Sequence, residues 1–365
     1  MYHVLQVMNY SAPYRGNFIE SLETLREPLQ ARGGTLVYLF PAGADQGRSA
    51  EWVGDLVRQG HPVYFMTGSV WKDARLIRSL IKRHQIDIVH THFTGRPMDM
   101  SVQLACVFTG VKKIKHYHAP SSCRSALTRA GKRLMLNRWL LIGVSESVTE
   151  GLRRDFPRNK SITLENGIAF ARLDQYETLQ PKHPDSVNCM MMGYNYYIKG
   201  VDLTVRAVAE LRREFPIELY IPAAANEGAL RENVTALLGA FPDWITVLPP
   251  RNDIASYYHM ADIFISSSRS EGFCYAVVEA AYCGNLILAS KIPGQGDLKV
   301  PRIVWFAPED TEDLKNQLRS MILHKDALLK HTAQTRRAVQ DTYDISVWTD
   351  KMMRIYESLT ARTGD

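Results

Sequence analysis

Two glutamates eight positions apart, Glu271 and Glu279, are the residues of this chain best placed by type and spacing to do chemistry. They lie in DIFISSSRSEGFCYAVVEAAYCG, where an apolar run ends near Ser267 or Ser268, a short loop follows, and a helix is expected from about Cys274. A carboxylate accepts two hydroxyl protons at once, which is the chemistry of holding a ribose or a hexose. Glu271 falls in the loop. Glu279 falls inside AVVEAA, among apolar residues expected to face a sheet. A buried acid without a partner is expensive, so Glu279 is read as an acid that meets a polar ligand. Gly272 gives access to backbone N–H groups, and a helix start favours phosphate.

Other candidates also follow apolar runs. After VNCMMMG comes YNYYIKG and a helix, with Gly193 letting the chain turn close to a ligand and Lys199 at the helix start. The helix dipole favours acids there, so a lysine conflicts with it. A diphosphate at that end would remove the conflict, drawing on both the ammonium and the helix amides. Gly16 permits a tight turn in SAPYRGNFIE after the first apolar run, next to Arg15. One glycine is not a GxGxxG fingerprint, which weakens a nicotinamide or flavin reading. Gly294 and Gly296 in KIPGQGDL suit either a pyrophosphate loop or a plain surface loop. His90 and His92 in DIVHTHF, and His116 and His118 in HYHAPSS, stand at strand ends; each pair shares a strand face. No cysteine or acidic cluster completes a zinc site around them, so no metal is expected. His118, before Ala119–Pro120, is the hydrogen-bond donor chosen for a ligand.

The elements that must position these residues alternate short apolar runs with amphipathic ones. Strands are expected at 3–9, 34–40, 62–68, 87–93, 111–118, 139–145 and 160–166, with helices near 17–31, 71–84, 97–109, 125–137 and 146–155. A second series has strands at 187–194, 217–223, 244–250, 262–268, 285–291 and 302–308. Its helices are expected at 199–215, 227–239, 252–260 and 275–283. From Thr311 the chain reads as helix, with a break near Tyr343 to Ser346. The alternation implies α/β architecture: two Rossmann-like, doubly wound domains facing across a cleft. The expected division is a first domain at 1–170, a polar linker at 171–186, a second domain at 187–343, and a last helix at 344–365 returning to the first domain.

Composition fits this. The 365 residues are 45% hydrophobic and 22% charged, suited to two soluble globular domains. No stretch reaches the roughly 18–20 apolar residues that span a bilayer, and the start does not read as a signal peptide. Five cysteines, matching no zinc spacing, read as free thiols in a reducing cytoplasm. Charge is uneven: residues 1–185 carry 25 basic and 16 acidic residues, the remainder 19 and 22. Between Asp99 and Glu146 there is no acid, and Lys112, Lys113, Lys115, Arg124, Arg129, Lys132, Arg133 and Arg138 fall there. Region 112–138 is therefore a candidate contact for an anionic membrane surface, with a solvated helix the equal alternative. The acidic second half and the lack of basic–aromatic interleaving argue against nucleic acid.

The segment SEGFCYAVVEAAYCG resembles the Glu-x7-Glu signature of the retaining glycosyltransferases of family 4, which have the two-Rossmann-domain glycosyltransferase-B fold. GYNYYIKGVDLTVRA is similar to that family's diphosphate loop and helix at Lys199 and Gly200. VSESV and ENGI resemble motifs closing its first domain, Gly16 the glycine of its first loop, and the helix around Trp348 its returning helix. The resemblance implies that Glu271 sits by the donor sugar and Glu279 binds ribose hydroxyls. Gly272, Phe273 and Cys274 would bring amides to sugar and phosphate, and His118 would be the histidine beside the donor sugar. Lys199 would meet the diphosphate. The implied catalytic set is Glu271, His118 and Lys199, with Gly16, Gly193, Lys199, Gly272, Phe273, Cys274 and Glu279 as donor contacts.

The implied reaction transfers a sugar, with retention, from a UDP- or GDP-linked donor to a hydroxyl on a lipid-linked or polymer acceptor. No separate cofactor is implied, and no DxD-type acidic pair is present to hold a metal. Three departures stand out, one being the single glycine of the first loop where many relatives have two. Tyr194 follows Gly193 where the family usually has an arginine, leaving Arg251 or Arg269 to substitute. Asn285 stands where proline is common. An epimerase or phosphorylase on the same architecture, or a non-catalytic transferase-like partner, are the rival expectations.

Overall fold

A computed structural model of the chain describes residues 1–12, 15–121, 125–223, 227–251 and 253–361, with only the backbone at Arg48. The chain divides into two compact units: Met1–Gly167 with Ile345–Asp365, and Ile168–Asp344.

In the first unit, seven strands form one parallel sheet. They are β1 (Val4–Met8), β2 (Leu36–Phe40), β3 (Val63–Phe65), β4 (Ile88–His92), β5 (Lys112–Tyr117), β6 (Leu140–Gly143) and β7 (Ser161–Thr163). The spatial order is β3-β2-β1-β4-β5-β6-β7. All five residues of β1 and of β2 are buried, as expected for parallel strands covered on both faces. The connecting helices are α1 (Gly16–Glu23), α2 (Arg26–Ala31), α3 (Ala50–Arg58), α4 (Val70–Arg83), α5 (Arg96–Ala105), α6 (Ala126–Met135) and α7 (Glu146–Asp155). Ser145 caps α7, its side chain accepting from the Val148 N–H at 3.3 Å.

Two differences from the expected pattern have local causes. The single helix expected over 17–31 divides at Thr24–Leu25, where the Thr24 hydroxyl donates back to the Ser21 carbonyl. α3 had no counterpart in the sequence reading. Gly43, Gly47 and Gly54 around it weaken the helical signal, yet Trp52, Val53 and Leu56 bury a face of it.

The second unit repeats the plan with six parallel strands. These are β8 (Val187–Met190), β9 (Ile217–Pro222), β10 (Ile245–Leu248), β11 (Ile263–Ser266), β12 (Leu286–Ser290) and β13 (Val304–Phe306). Their order is β10-β9-β8-β11-β12-β13. The flanking helices are α8 (Val201–Leu211), α9 (Glu227–Leu238), α10 (Ala255–Met260), α11 (Tyr275–Tyr282), α12 (Thr311–Leu323), α13 (Lys325–Leu329) and α14 (Thr332–Tyr343). Residues 171–186, read as a linker, are tied into this unit. The Glu177 N–H donates to Ser256 Oγ and the Lys182 N–H to the Tyr220 hydroxyl.

The last helix, α15 (Ile345–Thr360), belongs to the first unit. Trp348, Met352, Met353 and Tyr356 enter that unit's hydrophobic core with Val4, Met8 and Leu22. It packs tightly on Gly167, where a Cβ would stand 2.6 Å from Trp348 Cβ. No helix among the described residues is long and apolar enough to cross a membrane.

Candidate functional site

The strand order of the second unit reverses direction between β8 and β11, the two strands whose following loops carry the candidate residues. In open parallel sheets, ligands bind beyond the carboxyl ends of the strands at such a point. Lys199 and Glu271 meet there. Lys199 Nζ donates to Glu271 Oε1 at 2.6 Å, and both side chains are largely buried. Ser268 Oγ donates to the same carboxylate oxygen at 2.8 Å. The ammonium lies 4.6 Å from the centre of the Tyr194 ring, so the residue found in place of the family's arginine makes a cation–π contact with the neighbouring lysine. Burial works to lower the Lys199 ammonium, but Cys274, the Glu271 carboxylate and Tyr194 outweigh it and hold Lys199 above its ordinary value. Burial pushes the Cys274 thiol up to about 12, so at neutral pH it is uncharged and the Glu271 carboxylate is the charge that meets Lys199. Lys199, Ser266, Ser268, Cys274, Ala276 and Met192 line a small pocket.

Close packing of loops fixes this arrangement. Gly200 precedes α8 with φ +63°, and a Cβ there would stand 2.0 Å from the Ser267 carbonyl oxygen. Ser267 Oγ donates to the Lys199 and Gly200 carbonyls. Gly294 has φ +83°, with its Cβ position 2.3 Å from the Glu271 carbonyl oxygen. The loop after β12 therefore packs directly on the loop that holds Glu271. Gln295, fully buried, completes the support: its amide donates to the Ser266 and Ser290 carbonyls and its oxygen accepts from Ser266 Oγ. The sequence reading took Gly294 and Gly296 as a pyrophosphate loop or a plain surface loop and did not single out Gln295.

Gly193 is also constrained by packing within the unit. Its N–H donates to the Pro222 carbonyl at 3.0 Å, and a Cβ would stand 2.3 Å from Ile221 Cγ2. Glycine is required there by the packing of β8 against β9. Gly272, Phe273 and Cys274 are buried in the turn entering α11, and Phe273 packs edge-on against Tyr275 and Tyr343.

Glu279, 6% exposed, is buried on α11. Its carboxylate is not left to a ligand alone. Arg172 donates to Oε1 and the Tyr258 hydroxyl to Oε2 at 3.0 Å. The inference that burial obliges a ligand is thus corrected: protein groups already meet the charge. Arg172 comes from the start of the second unit, 107 positions before its partner, and no local pattern points to it. Asn285 donates to the carbonyls of Tyr258 and Ala261. The residue standing where the family favours proline therefore holds the end of α10, which carries Tyr258. The arginines named as substitutes for the missing cation are both engaged. Arg269 donates to both oxygens of Asp202 at 2.8 Å and to Glu309, and Arg251 to Glu177.

In the first unit, His90, His92, His116 and His118 stand on or just after β4 and β5. His92 is the register partner of His116. His92 Nδ1 lies 3.2 Å from His118 Nε2, and its Nε2 lies 2.9 Å from Gln6 Oε1. Gln6 Nε2 donates to the Tyr356 hydroxyl, which also lies 2.8 Å from His90 Nδ1. Burial, reinforced by the neighbouring imidazoles, drives His118, His92 and His90 well below the ordinary range; burial alone takes His116 down to about 3. All four rings are neutral at physiological pH. Phe93, unremarked in the sequence, stacks on His118 with centroids 4.1 Å apart. It does so at φ 56°, a left-handed conformation that a bulky residue rarely adopts. Phe18 of α1 packs edge-on against both His92 and His118. Gly16 opens α1 at φ 59°, while Arg15 is paired with Glu23.

The basic stretch is not one solvated face. Lys115 is buried and ion-paired to Asp99 at 2.6 Å, Lys113 donates to Gln103, and Arg124 and Cys123 lie outside the described residues. On α6 no residue is buried. Leu127 and Leu134, one above the other at i and i+7, are 85% and 80% exposed beside Arg133 and Arg138.

Comparison with known proteins agrees with this architecture. Residues 20–172 match the family described as glycosyltransferase family 4, and residues 187–324 match glycosyl transferases group 1. The chain is 20% identical over 262 residues to one component of the phosphatidylinositol N-acetylglucosaminyltransferase of Arabidopsis thaliana. The match covers 70% of this chain and 58% of that protein, so the chain spans little more than half of that relative's length. A glycosyltransferase structure from Rickettsia africae superposes with a TM-score of 0.82 at 20% identity, covering 99% of each chain. Anabaena HepE in complex with UDP and glucose superposes with a TM-score of 0.78 at 15% identity, covering 98% of this chain and all of that one. The chain thus has the glycosyltransferase-B fold and is related in sequence to glycosyltransferases of the family 4 kind.

Proposed function

We propose that the chain is a retaining, metal-independent hexosyltransferase that moves a sugar from a UDP- or GDP-linked donor to a hydroxyl acceptor in cell-surface polysaccharide or glycolipid synthesis. The observation that carries this reading is the buried Lys199–Glu271 pair at the carboxyl ends of β8 and β11. A cation held there beside the start of α8 suits a diphosphate. HepE, which shares the fold and is seen with UDP and glucose, supports the reading by analogy.

In this reading the second unit binds the donor. The ribose hydroxyls donate to Glu279, since a carboxylate accepts about four hydrogen bonds and can take them beside those from Arg172 and Tyr258. The β-phosphate takes Lys199, and the sugar lies by Glu271 and the amides of Gly272, Phe273 and Cys274. The bond between the anomeric carbon and the β-phosphate oxygen breaks, and its electron pair leaves with the phosphate. Lys199 stabilises that growing charge in a site of low dielectric. The acceptor oxygen bonds to the same face of the anomeric carbon and its proton passes to the departing phosphate. The first unit holds the acceptor, a lipid-linked or polymer sugar, and neutral His118 hydrogen-bonds the donor sugar. Gly16, at the start of α1, serves the same ligand.

Incubating the chain with individual nucleotide sugars, with and without lipid-linked acceptors, tests this. The expected result is acceptor-dependent release of nucleoside diphosphate with the anomeric configuration kept in the product. An isomerised sugar nucleotide formed without acceptor would point instead to an epimerase.

The location follows from the same reading: cytoplasmic, held at the inner membrane face through region 112–138. The exposed Leu127 and Leu134 of α6, a helix that also carries Arg129, Lys132 and Arg133, support it. Vesicle co-sedimentation should require anionic lipid, weaken with salt, and fall in a Leu127→Ser, Leu134→Ser variant. Salt-insensitive binding, or none, contradicts it.

A further inference from the structure

The histidines at the ends of β4 and β5 do more than their sequence spacing suggested. His90, His92 and His116 are each 2% exposed or less, and each offers a ring nitrogen within 4.8 Å of the others. Two of the three rings carry nitrogens with no hydrogen-bond partner among the described residues: His90 Nε2, and both nitrogens of His116. Buried polar atoms are almost always paired, so three orphaned imidazole nitrogens in one cluster call for an occupant.

The surroundings select the kind of occupant. His90 is oriented through Nδ1 by the Tyr356 hydroxyl and His92 through Nε2 by the Gln6 side chain. Such outer contacts fix a ligating histidine's tautomer; they leave His90 Nε2 to an occupant, while His92 Nδ1 faces His118 Nε2 at 3.2 Å and would exchange that contact for the metal. The rings of His90 and His116 lie nearly parallel, 4° apart, so their lone pairs do not yet converge. His116, with no hydrogen bond among the described residues, is the ring that must turn for the three to meet one ion. Three imidazoles with no carboxylate suit zinc, copper or nickel rather than magnesium or calcium. His118, with Nε2 3.2 Å from His92 Nδ1 and its side chain only partly buried, stands on the open side as fourth ligand or as entry path.

We propose that His90, His92 and His116 form a binding site for one divalent transition-metal ion of the zinc class, built entirely within the first unit. It joins β4 to β5 and belongs to a different unit from the diphosphate site. The assignment stands on the clustering of the three rings and their unpartnered nitrogens and does not depend on the sugar-transfer reading.

The test uses the full, untagged chain, stripped with chelator and titrated with zinc chloride and, separately, cobalt chloride. The expected result is one ion bound per chain with micromolar or tighter affinity, and visible cobalt bands of low-symmetry nitrogen coordination. His116→Ala should weaken binding at least about a hundredfold, since loss of an outer contact alone costs roughly 10–100-fold and a ligand more. His116→Gln serves as a second variant should alanine unfold the chain, and His324→Ala, an exposed histidine, should leave binding unchanged. Circular dichroism confirms that each variant is folded. Absence of binding below millimolar metal, or a stoichiometric ion unaffected by both His116 variants, overturns the proposal and leaves the cluster to ordered water.

Discussion

Lys199 Nζ lies 2.6 Å from Glu271 Oε1, and the pair joins the loops after β8 and β11 with neither side chain more than 11% exposed. Breaking such a pair from one side leaves a buried charge, which costs about 3–5 kcal/mol. Lys199→Met should therefore lower the melting temperature strongly and abolish transfer. Adding Glu271→Gln should recover much of the stability and none of the activity. Recovery of both would show that the pair is structural only.

The raised Lys199 sets a pH window. Its ammonium is favoured in the folded chain, so its contribution to stability is fully present below the ordinary lysine value of 10.5 and fades only as pH rises beyond that. The difference in melting temperature between the wild type and Lys199→Met should stay level from about pH 7 to 10. A difference that shrinks with a midpoint near about 9 would mean that burial dominates and lowers the lysine instead.

Gly200 is constrained twice, by φ +63° and by the Ser267 carbonyl 2.0 Å from where a Cβ would stand. Gly200→Ala should cost roughly 2 kcal/mol or more, read by denaturant unfolding. It should also displace Lys199 and so reduce turnover beyond what the stability loss explains. A variant as stable as the wild type would put the turn in the wrong conformation.

His118 is neutral, stacked on Phe93 and hydrogen-bonded to His92. If it contacts the donor sugar, His118→Ala should lower kcat/KM about two- to tenfold, the worth of one neutral hydrogen bond in the transition state. Affinity for the free nucleoside diphosphate should be unchanged. An equal loss for both would mean that His118 acts through the fold.

The parts of this account that were legible in the sequence are those fixed locally. Buried parallel strands announce themselves as apolar runs, and Glu279 in AVVEAA announced its burial. What pairs with these residues was not legible, because the partners come from far along the chain: Arg172 for Glu279, Glu271 for Lys199, Tyr356 for His90. The reason for a glycine was also hidden. Gly193 is dictated by Ile221 on the next strand, a contact made by sheet register and invisible in GYNYY. The four histidines were visible, but only the register of β4 on β5 places His92 beside His116.

The central claim is that the second unit binds the nucleoside diphosphate of a sugar donor with Glu279 on the ribose. Titration calorimetry of UDP and GDP into the wild type and Glu279→Gln tests it most directly. The account predicts that one of the two nucleotides binds the wild type at a single site. In the folded glutamine variant its affinity should fall at least about tenfold, the worth of a charge-assisted hydrogen bond. Binding of neither nucleotide, or equal binding by both proteins, would contradict it.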